Sequence, residues 1–336
     1  MSQTETESKY TESESRLKVT GYDDKDSFGP CFLVTSPMGN VLKISDTFAE
    51  MFPMWVGRVL ITADSEKWAL TAARNATGLA TSVIMSPAEA GIESIVPANA
   101  TPDGRIGVLI QIYNRNRFDL KGQMILRIGQ CIMTCPTASA FDALQDAKRR
   151  LKVGRSICLF GDGFQKKVLV KARKAWKIPV MEGGFIVEDS FGASEAVAGG
   201  NFIIMSRDVP SGLKAAEKAV EAIRTSASEV IMPFPDGVCR SGSKAGSIKY
   251  KLRASTNHPF CPTLKALVPD TQVPESVNCV YEIVINGLSV DTVKKAMKVG
   301  VQAAASVPGI VRISAGNYGG KIGPFKAFLK ETLDST

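Results

Sequence analysis

The run CVYEIVING (279–287) sets one carboxylate in an otherwise apolar segment. Strand alternation places Cys279, Tyr281, Ile283 and Ile285 on one face and Val280, Glu282, Val284 and Asn286 on the other. Desolvation between valines would raise the pKa of Glu282, which is how proteins set a carboxyl to exchange protons near neutrality. The chemistry implied is general acid–base catalysis. Alternation leaves open, and taken alone favours, a glutamate on a solvent-facing sheet surface.

The polar stretch Cys239–Thr263 holds five basic side chains, no acidic ones, and His258, the only histidine of the 336 residues. It is too rich in Gly, Ser and Pro to be a helix or core strand, and long irregular loops within compact domains are functional or disordered. By composition it reads as a solvated surface loop. One histidine excludes a His-rich metal centre, so proton chemistry falls to carboxylates. The seven cysteines contain no CxxC pair and suggest buried thiols, with Cys131 and Cys135 packed in one apolar strand.

Two Gly-rich loops, SGSKAGS (241–247) and GNYGGKIG (316–323), fail the Walker spacing, and no GxGxxG follows the first strand. Their backbone N–H groups, hydroxyls and lysines remain able to hold carboxylates or phosphates.

These residues must be positioned by a scaffold with two similar halves. RVLITA from Arg58 reads as a buried strand, followed by a helix capped by Asp64 and stopped by Gly78. TSVIMS is the next strand, PAEAGIES and TPDGR form a loop, and GVLIQIY from Gly107 is a strand. A helix over 120–128 and a strand QCIMTC complete the half. The outline returns in NFIIMS, a helix opened by Pro210 and Ser211 with Leu213, Ala216, Val220 and Ile223 as its stripe, EVIMPF, CVYEIVING, a helix from Ser289, and GIVRIS. The predicted fold class is α+β, two ferredoxin-like (βαββαβ) lobes from an internal duplication, with the basic loop inserted in the second. The expected division is an acidic tail over 1–17, an extension with a small hairpin over 18–45, a first lobe over 46–165 and a second over 166–334.

The formal charge of +8 favours anionic partners. Eleven basic residues against one acid lie between Lys148 and Lys177. That block could meet RNA, yet the strands lack the interleaved aromatics of an RNA-binding plait, which disfavours nucleic acid. No membrane-spanning or signal segment is evident, and a cytoplasmic location is expected.

The motifs DTFAEMF (46–52), TSVIMSPAEAGIE, IGQCIMTCPTASAFDA (128–143), FGDGFQ (160–165), WKIPVMEGGFIVEDSFG (176–192), GSKAGS, ASTNHPFCPT, CVYEIVINGL and ISAGNYGGKIG together resemble the formylmethanofuran:tetrahydromethanopterin formyltransferase family, from about Asp46 to Leu333. The resemblance implies two ferredoxin-like lobes in a homodimer or homotetramer. It also implies formyl transfer between the amine of methanofuran (or methylofuran) and nitrogen 5 of tetrahydromethanopterin, both as co-substrates, with no bound prosthetic group or metal. The family's active-site glutamate becomes Glu282. Substrate-binding residues expected with it are Ser243, Lys244, Ser247, Arg253, Ser255, Thr256, Asn257, Asn317 and Lys321. Among these, Ser255, Thr256, Asn257 and Asn317 would donate to an oxyanion, while Lys244, Arg253 and Lys321 would meet acidic carrier tails.

The basic balance, the longer N-terminal segment and the wording of the two Gly-rich loops lean toward the bacterial branch, in which the protein works with hydrolase subunits. The alternatives of a different class are an idle scaffold subunit of such a complex and an RNA-binding plait.

Overall fold

The computed structural model describes residues 17–36, 39–242 and 244–334. Three strands come first: β1 (Lys18–Asp23), β2 (Cys31–Thr35) and β3 (Val41–Ser45), an antiparallel meander where a hairpin was expected. The first lobe follows as β4 (Phe48–Thr62), α1 (Glu66–Thr77), β5 (Glu89–Val96), β6 (Gly107–Asn114), α2 (Arg117–Arg127) and β7 (Ser139–Asp142). Its sheet order is β5–β6–β4–β7, every pair antiparallel. Short β8 (Arg149–Leu151), α3 (Val153–Ile157) and the strands β9 (Lys166–Val170), β10 (Arg173–Val180) and β11 (Gly183–Glu188) come next. These last three, grouped by sequence with the second lobe, extend the first sheet through a parallel β11–β7 contact.

The second lobe repeats the order with β12 (Phe191–Ser206), α4 (Val209–Ser226), β13 (Val230–Ile231), β14 (Cys279–Gly287), α5 (Val290–Ala305) and β15 (Ile310–Ser314). Its sheet runs β13–β14–β12–β15, again antiparallel, and β3 pairs with β15 in parallel. The chain closes with β16 (Phe325–Phe328), which pairs with the start of β4, and α6 (Leu329–Asp334). Two α+β lobes therefore stand side by side. Strands β4 and β12 are long enough to serve both, pairing with each other over 52–56 and 194–198.

Local chemistry accounts for the helices. Ser289 accepts from the Thr292 N–H and Thr292 returns the bond, a reciprocal cap on α5. Asp208 accepts from Ser211 at 2.8 Å at the start of α4. The buried stripe of α4 is small, with Gly212, Ala215, Ala216, Ala219, Val220 and Ile223 against the sheet. Leu213, assigned to that stripe by sequence, points outward at 40% exposure.

Four expectations are corrected. TSVIMS is irregular: the Met85 and Ser86 N–H groups turn back to the Ser82 carbonyl, and Pro87 follows at once. The strand lies instead in EAGIESIV, most of which was expected to be loop. QCIMTC winds helically, and the closing strand is Ser139–Asp142, so Cys131 and Cys135 do not share a strand. Asp64 does not cap α1; Ser65 holds that position, and Asp64 pairs with Arg105 at 2.9 Å. Among the described residues, no helix is long and apolar enough to cross a membrane.

Candidate active site

Strand β14 turns Ile283 and Ile285 toward the helices of its lobe, which leaves Glu282, Val284 and Asn286 on the opposite face. That face is covered, and Glu282 is 4% exposed rather than solvent-facing. Its backbone exchanges two bonds with Cys239, at 2.8 and 2.9 Å, so the basic loop leaves the sheet edge directly beside the carboxylate. Burial, and then the nearby Glu282 charge, pushes the Cys239 thiol up. A cavity of about 470 Å³ opens here, walled by Glu282, Cys239, Ser255, Thr256, Asn257 and Phe260.

A second cavity, about 440 Å³, lies between the lobes. Phe52 and Met54 of β4, Val83 and Glu89 of the first lobe, Val284 of β14, and Tyr318 are among its walls. Because Glu282 and Val284 are alternate residues on one strand face, the two cavities abut along β14. The loop forms the partition. Ala245 lines the interlobe cavity, Ala254 lines the other, and the two residues pair backbone to backbone.

Of the residues expected to bind substrate, Ser255, Thr256 and Asn257 line the same cavity as Glu282. Lys244 and Ser247 organise the loop itself: Lys244 Nζ donates to Ser255 Oγ at 3.2 Å, and Ser247 Oγ accepts from Leu252 N–H at 2.9 Å. Arg253 is exposed, and its carbonyl accepts from Gly246 N–H at 2.7 Å. Ser243 lies outside the described residues. Asn317 donates to Thr47 Oγ1, and Lys321 is exposed; their neighbours Tyr318 and Ile322 reach the interlobe cavity. His258 sits 3.7 Å from Asp270, apart from both cavity walls.

Two carboxylates of the interlobe cavity, Glu50 and Glu89, escaped sequence reading. Glu50, 1% exposed, receives the N–H groups of Ile322 and Gly323 on Oε1 and those of Tyr318 and Gly320 on Oε2. Burial works to raise its pKa, yet the four donors prevail and hold the carboxyl below its ordinary value. The N–H groups of GNYGGKIG thus hold a carboxylate of the chain itself. Wrapping a loop this tightly needs positive φ at Gly319 and Gly320, and at Gly323 an added Cβ would lie 2.0 Å from the Met51 carbonyl. Only the cluster of glycines hinted at this arrangement.

Among the described residues, one trio has metal-ligand reach, Asp23, Asp26 and Cys31, far in sequence from β14. Its carboxylates already face Lys43 and the buried Arg312.

Two halves with one strand order, and a buried carboxylate beside two cavities, define a two-lobed α+β protein with a candidate site at the seam of its lobes. The family model for formylmethanofuran-tetrahydromethanopterin formyltransferase matches residues 38–180, and that for the proximal lobe of the same protein matches 183–332. The chain belongs to this family. The formyltransferase of Methanocaldococcus jannaschii is 54% identical over 299 residues, spanning 88% of this chain and 99% of that one. That of Methanopyrus kandleri is 54% identical over 296 residues, 87% and 98% of the two chains. Among solved structures, the Methanosarcina barkeri enzyme superposes with a TM-score of 0.83 at 48% identity, covering 87% of this chain and 98% of that one.

A chain of the formyltransferase/hydrolase complex from Methylorubrum extorquens, solved with methylofuran, gives 0.83 at 40% identity over 88% and 98%. The archaeal branch is therefore the better supported, and the expected bacterial branch is not specifically supported.

Proposed function

We propose that this chain is an N-formyltransferase moving a formyl group between the amine of a methanofuran-type carrier and nitrogen 5 of a tetrahydromethanopterin-type carrier, with Glu282 as acid and base. The observation that carries it is the placement of Glu282, buried on β14 at the seam of two cavities large enough for two ring systems. In the transfer, the attacking amine nitrogen forms a bond to the formyl carbon, the carbonyl electron pair moves onto oxygen, and Glu282 takes the proton lost by that nitrogen. Collapse of the tetrahedral species returns the pair, breaks the bond to the first carrier, and delivers the same proton from Glu282 to the leaving nitrogen. Ser255, Thr256 and Asn257, which line the cavity with Glu282, would donate to the oxyanion.

Glu282→Gln keeps the shape and removes the exchangeable proton. Turnover should fall by roughly 10²- to 10⁴-fold with circular dichroism unchanged. Near wild-type turnover would sink the assignment.

Two finer readings accompany this one. The shared strand order supports a ferredoxin-like plait for each lobe. The exposed lysines of β9 and β10 (Lys166, Lys167, Lys174 and Lys177) would meet an acidic face, either of a second copy in a homodimer or homotetramer or of hydrolase subunits. Lysine-to-glutamate changes on β10 that leave the sedimentation coefficient of the native assembly unaltered would exclude that role.

A further inference from the structure

The interlobe cavity contains two buried carboxylates in opposite states of saturation. Glu50 accepts four N–H groups, two on each oxygen, and has no lone pair left for a ligand. Glu89, 4% exposed on β5, accepts only two from the described residues: Val83 N–H on Oε1 at 3.0 Å and Asn286 Nδ2 on Oε2 at 2.6 Å. A carboxylate offers about four acceptor sites, so one remains on each oxygen. Open acceptors on a buried carboxylate are costly unless a ligand fills them.

The orientation of Glu89 is fixed from both lobes. Asn286 Oδ1 is occupied by the Gly199 N–H at 3.1 Å, which turns Nδ2 toward Glu89. Burial raises the pKa of Glu89, opposed by the bonds from Asn286 and Val83 and, least, by the exposed Arg115 guanidinium on the same cavity wall. Asn286 is the next residue but one after Val284 on the face that begins with Glu282, so the three mark a line of about 14 Å along β14 at ~3.4 Å per residue. A fused bicycle resting on Val284 would lie along the middle of that line, with one edge toward Glu89 and the far ring toward Glu282.

We propose that Glu89 is the specificity-determining acceptor for the pterin carrier, taking the exocyclic amino group and the adjacent ring N–H of its aminopyrimidinone edge as a bidentate pair. Two parallel N–H donors on one carboxylate form a strong and geometrically selective arrangement. The proposal rests on the function proposed above. It adds a recognition residue separate from the proton-transfer group.

The test uses two formyl acceptors with the formylated furan carrier as donor: a methylated tetrahydropterin and its counterpart lacking the exocyclic amino group. The wild type should prefer the amino compound by roughly 10- to 100-fold in kcat/KM. Glu89→Gln, with only one acceptor oxygen, should lose most of that preference while KM for the furan carrier stays within about twofold, a split that general loosening of the lobes would not produce. Should that variant fail to fold, Glu89→Asp, whose shorter stem withdraws the carboxylate, carries the same comparison and the same expectation. Equal use of both acceptors by the wild type overturns the proposal, as does a variant that keeps the full preference. A wild type that transfers no formyl group to the natural pterin carrier overturns the underlying function instead, and is seen before any variant is made.

Discussion

Replacing Glu50 by glutamine separates the role of its charge from that of its shape. In the native loop each carboxylate oxygen takes two N–H groups, Tyr318 at 2.8 Å and Gly320 at 3.0 Å on one, Gly323 at 2.7 Å and Ile322 on the other. The amide keeps one acceptor oxygen and turns a donor NH₂ toward the remaining pair. Two buried N–H groups then lack partners, at about 1–3 kcal/mol each, for a total of about 2–6 kcal/mol. Loop opening caps the loss, because water satisfies the freed groups once 316–323 lifts from β4, so about 2–4 kcal/mol is expected. That corresponds to a drop of roughly 30- to 700-fold in amide protection at these four residues, read by hydrogen exchange with the rest of β4 as internal reference.

The pH dependence gives the sign. The folded-state pKa of Glu50 is lowered, so its contribution is present above the unfolded carboxylate value and is lost as pH falls through the lower folded one. Protection of the loop should follow that course in the native protein and be flat in the variant. Unchanged exchange at Tyr318, Gly320, Ile322 and Gly323 in Glu50→Gln would refute the reasoning.

Asp26→Asn should destabilise the chain by about 2 kcal/mol at neutral pH, because Asp26, opposed by burial but held by Lys43 and Arg312, sits at about 2 instead of 3.8. The difference from wild type should vanish in urea melts as pH is lowered through that window. Gly323→Ala places a Cβ 2.0 Å from the Met51 carbonyl and should cost at least about 1–3 kcal/mol, visible as a lower melting temperature; an unchanged one would show the loop can shift. Asn257→Ala, in the cavity that Glu282 lines, should reduce kcat by roughly 10- to 10³-fold with little effect on stability, whereas a change confined to KM would assign it to carrier binding.

Segments that carry their own local grammar were legible. The Ser289 cap, the alternation of 279–287 and the apolar repeat of α5 each sufficed to place an element, and the motif around Glu282 pointed to its chemistry. What escaped depends on partners distant in the chain. Glu89 breaks the pattern of β5 because its environment is supplied by Asn286, 197 residues later. Likewise, nothing near Glu50 announces that a loop some 270 residues away closes on it. TSVIMS looked like a strand because its apolar side chains serve a cavity wall, and an apolar run does not reveal which apolar surface it faces.

The antiparallel pairing of β4 with β12 has a mechanical consequence. Each strand runs on from this central seam into the sheets around it, so swinging one lobe against the other would require breaking main-chain hydrogen bonds rather than flexing a linker. The gap between the lobes therefore behaves as a fixed gauge. Ring systems are admitted or refused by thickness and by edge chemistry, and water must be displaced by the carriers themselves and by the loop from Cys239, not by jaws that shut. Loop ordering, observable by exchange at 244–257, is where any response to substrate should concentrate.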